Sequence, residues 1–198
     1  MIKGINKADA IQNIGFILET RNFTEIRKRP CVFLSHKKED KPACRIIAKY
    51  LSEAEIDYFL DEESAELQSA VISGNAIKIT EKIKEGIAKS THMLVVVSEK
   101  TYKSQWVPFE VGYGHSTIIE ETTNPDNSKL SILTLKDIAE KKLPTFMQVG
   151  NIVRGTKSLN SYISTISNKL EKSMINESRM FSHTEGNHPL DNILNWKL

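Results

Sequence analysis

Met93-Leu94-Val95-Val96-Val97-Ser98-Glu99-Lys100-Thr101-Tyr102-Lys103-Ser104-Gln105-Trp106-Val107-Pro108-Phe109-Glu110 is the stretch whose reading decides the fold. Its first five residues form an uninterrupted apolar run, as expected of a strand buried on both faces. A short turn-like segment follows, and then a helical segment that continues to about Ile119. Ser104 is placed to cap that helix, Pro108 sits near the first turn where a missing N–H costs little, and Trp106 and Glu110 are four apart. The spacing predicts an indole and a carboxylate on one helix face at the rim of a sheet. In parallel α/β sheets that rim, beyond the carboxyl ends of the strands, is where ligands bind.

Outward from this stretch the same alternation repeats. Cys31-Val32-Phe33-Leu34 reads as a buried strand, Ser35 to Asp40 as a charged loop, and Lys41-Pro42 opens a helix with Ala43, Ile46, Ile47, Tyr50, Leu51 and Ala54 at helical spacing. Ile56 to Leu60 is a second strand. Ser64 to Asn75 has no clean period and reads as mostly loop, whereas Ile79, Ile83 and Ile87 mark a helix from about Ala76 to Lys89. Beyond a polar turn region at Glu120 to Lys129, Leu130 to Leu135 is a fourth strand. Thr145 to Val153 contains a fifth, and Lys157 to Met174 reads as one closing helix. Strands alternating with helices predict an α/β fold with a parallel sheet covered on both faces. Ile5, Ala8, Ile11, Ile14 and Leu18 suggest an amphipathic helix ahead of the main fold, and Leu190, Ile193, Leu194 and Trp196 give the polar tail an apolar end.

Composition narrows the function classes. The 198 residues include 27 Lys and Arg against 25 Asp and Glu, for a net charge of +2, with the two signs interspersed, so no nucleic-acid-binding stripe stands out. The N-terminal segment lacks a signal-peptide core, and no apolar run approaches the ~20 residues of a membrane span. A soluble, cytoplasmic protein without membrane attachment is expected. Cys31 and Cys44 have no metal-ligand spacing and are expected as buried thiols; His183 and His188, in a tail rich in Ser, Asn and Gly, are expected in solvent. No glycine-rich phosphate loop follows the first strand, which disfavours a dinucleotide-dependent hydride transfer.

Three pieces carry a resemblance in the right order. The strand and loop CVFLSHKKED from Cys31, the strand end DYFLDEE from Asp57, and MLVVVSEKTYKSQWVPFE from Met93 together resemble the Toll/interleukin-1 receptor/resistance (TIR) domain family, whose signature is Ser-x-Trp-x-x-x-Glu. The resemblance spans about Pro30 to Lys172. It implies a flavodoxin-like five-stranded parallel sheet with helices on both faces, here a domain over 30–172 with an N-terminal helical extension (1–29) and a C-terminal tail (173–198). For bacterial and plant members it implies cleavage of the nicotinamide–ribose bond of NAD, with NAD as substrate, no separate cofactor and no metal.

Glu110 stands where the family has its catalytic acid. Its ordinary reading is a first-turn acid complementing the helix dipole. Trp106 is a candidate to stack on a flat ring of the substrate, or else packs in the core; Ser35 and His36 are candidates to meet ribose or diphosphate, or else cap their loop. Ser104 and Asp61 complete the candidate substrate-binding set, and Asp40 reads as a helix cap and loop organiser. Gly112 and Gly114 read as room for a neighbouring backbone or ligand. With no effector domain recognisable, the resemblance to free-standing bacterial anti-phage TIR proteins of the Thoeris kind implies an NAD-derived signal such as a cyclic ADP-ribose, a separate effector that responds to it, and self-association through TIR surfaces. The alternatives are a non-catalytic TIR interaction module and a nucleoside deoxyribosyltransferase-like enzyme.

Overall fold

A computed structural model describes residues 3–8, 29–60, 65–120, 129–138, 143–184 and 186–198. Five strands form one sheet: β1 (Cys31–Ser35), β2 (Asp57–Phe59), β3 (His92–Val97), β4 (Leu130–Thr134) and β5 (Asn151–Val153). All pairings are parallel and the order is β2-β1-β3-β4-β5. This is the flavodoxin-like α/β fold, and its strand order reverses direction between β1 and β3. The apolar runs at β1, β3 and β4 lack alternation because both faces of the sheet are covered.

Helices α1 (Lys41–Glu53) and α5 (Thr156–Ser167) cover one face, burying Ile47, Leu51, Leu159 and Ile163 against Val32, Leu34, Leu94 and Val96. On the other face lie α3 (Ala76–Ala88) and α4 (Trp106–Gly114), where Ile83, Ile87, Val107 and Val111 pack on Phe33, Met93, Val95 and Val97. The register sets Phe33 beside Met93 and Ser35 beside Val95. Side chains alternate along a strand, so Ser35 emerges on the α4 face with Phe33.

Four expectations are corrected. Ala65–Ile72 is a helix, α2, rather than mostly loop; Val71 and Ile72 point to solvent, which removes the apolar stripe that would have marked it. The closing helix is two, α5 and α6 (Glu171–Asn176), because Asn168 takes a left-handed conformation (φ 52°) and ends α5. Residues 5–8 are not helical: the amide of Tyr58 donates to the carbonyl of Ile5 and that of Lys7 to the carbonyl of Tyr58, so this segment flanks the outer edge of β2. The remainder of the expected N-terminal helix and most of the 120–129 turn lie outside the described residues.

The tail, expected in solvent up to Leu190, is instead packed on the domain. Met180, Leu190 and Leu194 join the core on the α1 and α5 face, and His188 is only 5% exposed. Its Nε2 donates to the Tyr50 hydroxyl at 3.1 Å while its Nδ1 accepts from the amide of Leu190 at 3.2 Å. Tyr50 in turn donates to Asn160 Oδ1 (2.8 Å) and accepts from the amide of Phe181 (3.1 Å), so its hydroxyl is fully used. Cys31 and Cys44 are buried free thiols, and burial pushes the Cys31 thiol up from its ordinary value.

Candidate active site

The site is built where β1 and β3 diverge. Helix α4 presents Val107, Glu110, Val111 and Gly114 inward, positions i, i+3, i+4 and i+7 of one stripe. Three of these are apolar or small, and the fourth is a carboxylate that is 5% exposed. Glu110 is the fifth residue of the helix and faces the sheet, so it is not a solvated first-turn acid. A buried carboxylate is costly unless hydrogen-bonded. The Ser35 hydroxyl, emerging from the end of β1, donates to Glu110 Oε2. Ser35 is itself buried.

Gly114, one turn beyond Glu110, lets α4 lie close to the sheet: a Cβ there would come within 2.4 Å of Met93 Cε. Gly112 differs, since a Cβ at that position would meet nothing within 4 Å. The room expected at both glycines is thus filled at Gly114 by Met93 and open at Gly112. After Gly114 the helix widens into a π-helical turn over His115–Glu120.

Trp106 opens α4 and is 39% exposed, with its ring edge-on to Phe109 at a centroid distance of 6.0 Å. Phe109 stacks in turn on Tyr113 at 6.2 Å. The indole is therefore open to solvent at the start of α4, while the Glu110 carboxylate, one turn on, is buried. Four residues on a helix bring the two near each other but give them different surroundings. Core packing does not explain an indole this exposed. Ser104 Oγ accepts from the amide of Val107 at 3.2 Å and caps the helix.

The half-buried His36 is held by its own loop, its Nδ1 donating to the carbonyl of Leu34 at 3.0 Å, which leaves Nε2 as the acceptor nitrogen of the neutral ring. Asp40, 5% exposed, makes no side-chain cap to α1. Its Oδ2 accepts instead from Ser98 Oγ at 2.5 Å, and Thr101 Oγ1 lies 3.5 Å from it and 3.5 Å from the carbonyl of Val96, sharing its one proton between the two. The structure thus gathers Ser35, Glu110 and Asp40, with Ser98 and Thr101, around the point where the strand order reverses. Asp61 lies outside the described residues. Ser98 and Thr101 escape a reading of the sequence, although a Ser ending an apolar strand with a Thr three residues on is the pattern of a hydroxyl-closed turn.

The geometry joins three segments with fixed order in the chain: a strand ending in Ser35, a strand followed by a closed turn, and a helix carrying Trp106 and a buried Glu110. A family model described as TIR domain matches residues 32–159, well over half of the chain and spanning all of these groups. The chain belongs to the TIR family. A search of curated proteins finds no match to it. TIR proteins include both NAD-cleaving enzymes and interaction modules. Among the described residues no helix is long and apolar enough to cross a membrane, and no cluster of three or more His, Cys, Asp or Glu side chains is arranged to hold a metal.

Proposed function

We propose that this TIR protein cleaves the nicotinamide–ribose bond of NAD, with Glu110 as the catalytic carboxylate. The observation that carries the reading is Glu110 itself: an acid set in the inward stripe of α4, 5% exposed, beside the Ser35 hydroxyl and at the sheet's switch point. A carboxylate is an expensive choice for an inward position, where an apolar residue packs at lower cost. A reaction that builds positive charge gives it a use.

In the proposed step the C1′–N bond of NAD breaks heterolytically and its electron pair stays on the pyridine nitrogen, which becomes neutral. The ribose is left as an oxocarbenium-like cation that a nearby carboxylate stabilises. Glu110 also accepts hydrogen bonds from ribose hydroxyls and so orients the sugar. Ser35 keeps the carboxylate aimed, Trp106 offers a face for a flat ring, and His36 and Ser104 line the same rim. Asp61, two residues beyond β2 in the sequence, is proposed to complete the contacts. Water captures the cation to give ADP-ribose and a proton, or a nucleophile within the ADP-ribosyl group captures it to give a cyclic isomer and a proton. NAD is the substrate and no further cofactor takes part. The product is proposed as a signal in bacterial anti-phage defence, read by a separate cytoplasmic effector, with self-association of the TIR domain ordering the site.

A second reading, an interaction module without catalysis, draws on the exposed apolar side chains Val71, Ile72 and Ile77 at the corner between α2 and α3. Mass spectrometry of NAD incubated with the protein at high concentration separates the two. An ADP-ribose or cyclic product that disappears in Glu110→Gln supports catalysis; NAD unchanged, or product formed equally by both proteins, supports the module. Nucleosides offered in place of NAD test the deoxyribosyltransferase-like alternative.

A further inference from the structure

We propose that Asp40 is a positioning residue for the cleavage, holding α4 over Ser35 by tying together the two loops that leave β1 and β3. The catalytic part of this proposal rests on the reading of Glu110 given above. Asp40 stands at the residue before α1, where an aspartate side chain ordinarily accepts the helix's first free N–H. It makes no such bond. The buried carboxylate turns instead across the switch point and accepts from Ser98 Oγ at 2.5 Å, with Thr101 Oγ1 3.5 Å away. A charge buried away from its local helix and spent on a neighbouring loop has a tertiary task.

That task follows from what Ser98 and Thr101 hold. The amide of Ser98 donates to Thr101 Oγ1 at 2.9 Å, the amide of Lys100 to Ser98 Oγ at 3.1 Å, and the amide of Thr101 to the carbonyl of Ser98 at 3.1 Å. The turn after β3 is therefore closed on itself. The amide of Ser104 then donates to the carbonyl of Thr101 at 2.9 Å, and Ser104 caps α4 through the amide of Val107. Glu110 follows within one turn. Pairing between β1 and β3 fixes where Ser35 and Val95 lie, but leaves the course of both exit loops open. The Asp40–Ser98 bond links them. Displacement of a reacting group by ~1 Å can cost on the order of 10²-fold in rate, so a loosened clamp is expected in kcat.

The test compares Asp40→Ala, Asp40→Asn, Ser98→Ala and the Asp40→Ala/Ser98→Ala pair in the full chain. Nicotinamide release is read as kcat and KM, and hydrogen–deuterium exchange is followed over residues 98–110. Asp40→Ala is expected to lower kcat by about 10- to 100-fold with a smaller change in KM. Asp40→Asn, whose amide oxygen still accepts from Ser98, recovers much of that loss. Ser98→Ala resembles Asp40→Ala, and the double variant is no worse than the worse single one. Exchange over 98–110 quickens while β4 and α5 stay protected.

Additive losses, or unchanged kcat with unchanged exchange, overturn the proposal. If the wild type releases no nicotinamide, the catalytic reading falls and exchange alone decides: quickened exchange keeps the positioning role of Asp40, and unchanged exchange removes it. Should Asp40→Ala fail to fold, Ser98→Ala breaks the same bond without touching the buried carboxylate and is scored by the same two readouts.

Discussion

The hydroxyl of Ser35 donates to the carboxylate of Glu110, joining the end of β1 to the inward face of α4 across 75 residues of chain. Sheet and helix are each placed by apolar packing. This bond ties the acid to the end of the strand. A hydrogen bond to a charged group contributes on the order of 1.5–3 kcal/mol, and one that aims a catalytic group acts on rate. Ser35→Ala is expected to lower nicotinamide release by roughly 10- to 100-fold, with Ser35→Thr retaining more than Ser35→Ala. Equal rates for wild type and Ser35→Ala would show that the bond is structural only.

The two glycines of α4 give opposite expectations. A Cβ at Gly112 meets nothing within 4 Å, so Gly112→Ala removes only backbone freedom and is expected to stabilise by about 0.5–1 kcal/mol. A Cβ at Gly114 meets Met93 Cε at 2.4 Å and Sδ at 2.8 Å, so Gly114→Ala is expected to destabilise by about 1–3 kcal/mol as Met93 is displaced. Chemical denaturation of both variants checks the pair. A stabilised Gly112→Ala protein that has lost activity would mean that a ligand or a second copy approaches α4 there.

The tail is fastened by a network that acid weakens. Burial holds the His188 imidazole below its ordinary pKa, with His183 adding in the same direction and Asp191 opposing. The folded state therefore favours the neutral ring, whose Nδ1 must stay unprotonated to accept from the amide of Leu190. The unfolded chain takes up a proton near pH 6.5. The contribution of His188 to stability is thus full above about 6.5 and is lost as the pH falls from there through the lowered folded value. Thermal unfolding between pH 7 and pH 5 is expected to show a steeper loss of Tm for wild type than for His188→Gln; parallel curves would contradict this. Tyr50→Phe, which strips the partner from Asn160, Phe181 and His188 at once, is expected to cost about 1–3 kcal/mol at pH 7.

Much of the fold was legible because it rests on local pattern. The unbroken apolar runs at Val32 to Leu34 and Met93 to Val97, and the run Leu130 to Leu133 with only Ser131 in it, read as strands buried on both faces, and Ile79, Ile83 and Ile87 announce α3. What escaped depends on partners far away in sequence. The burial of His188 requires Tyr50, 138 residues earlier, and the true task of Asp40 requires Ser98. Helix α2 escaped because Val71 and Ile72 face solvent and leave no stripe to read. Glu110 was marked by the Ser-x-Trp-x-x-x-Glu pattern, but its burial in one stripe with Val107, Val111 and Gly114 shows only once α4 is packed on the sheet.

Trp106 is expected to act on binding rather than on the bond-breaking step. Its indole is 39% exposed and contacts Phe109 at its edge, so truncation removes little packing. Aromatic stacking contributes about 0.5–1.5 kcal/mol, which sets the scale of the change. Trp106→Ala is expected to raise KM for NAD by up to about tenfold while Tm shifts little, and Trp106→Phe to fall between. A loss of stability without a change in KM would assign the indole to the domain's own packing.

The central claim is that Glu110 breaks NAD, and release of labelled nicotinamide measures it most directly. Wild type and Glu110→Gln are compared at equal and high protein concentration, with circular dichroism verifying that both are folded. Removing one preorganised electrostatic group from such a site costs on the order of 10²–10³-fold or more, so release by wild type and its near-abolition in Glu110→Gln is the predicted result. Release at the same rate from both folded proteins would contradict the account.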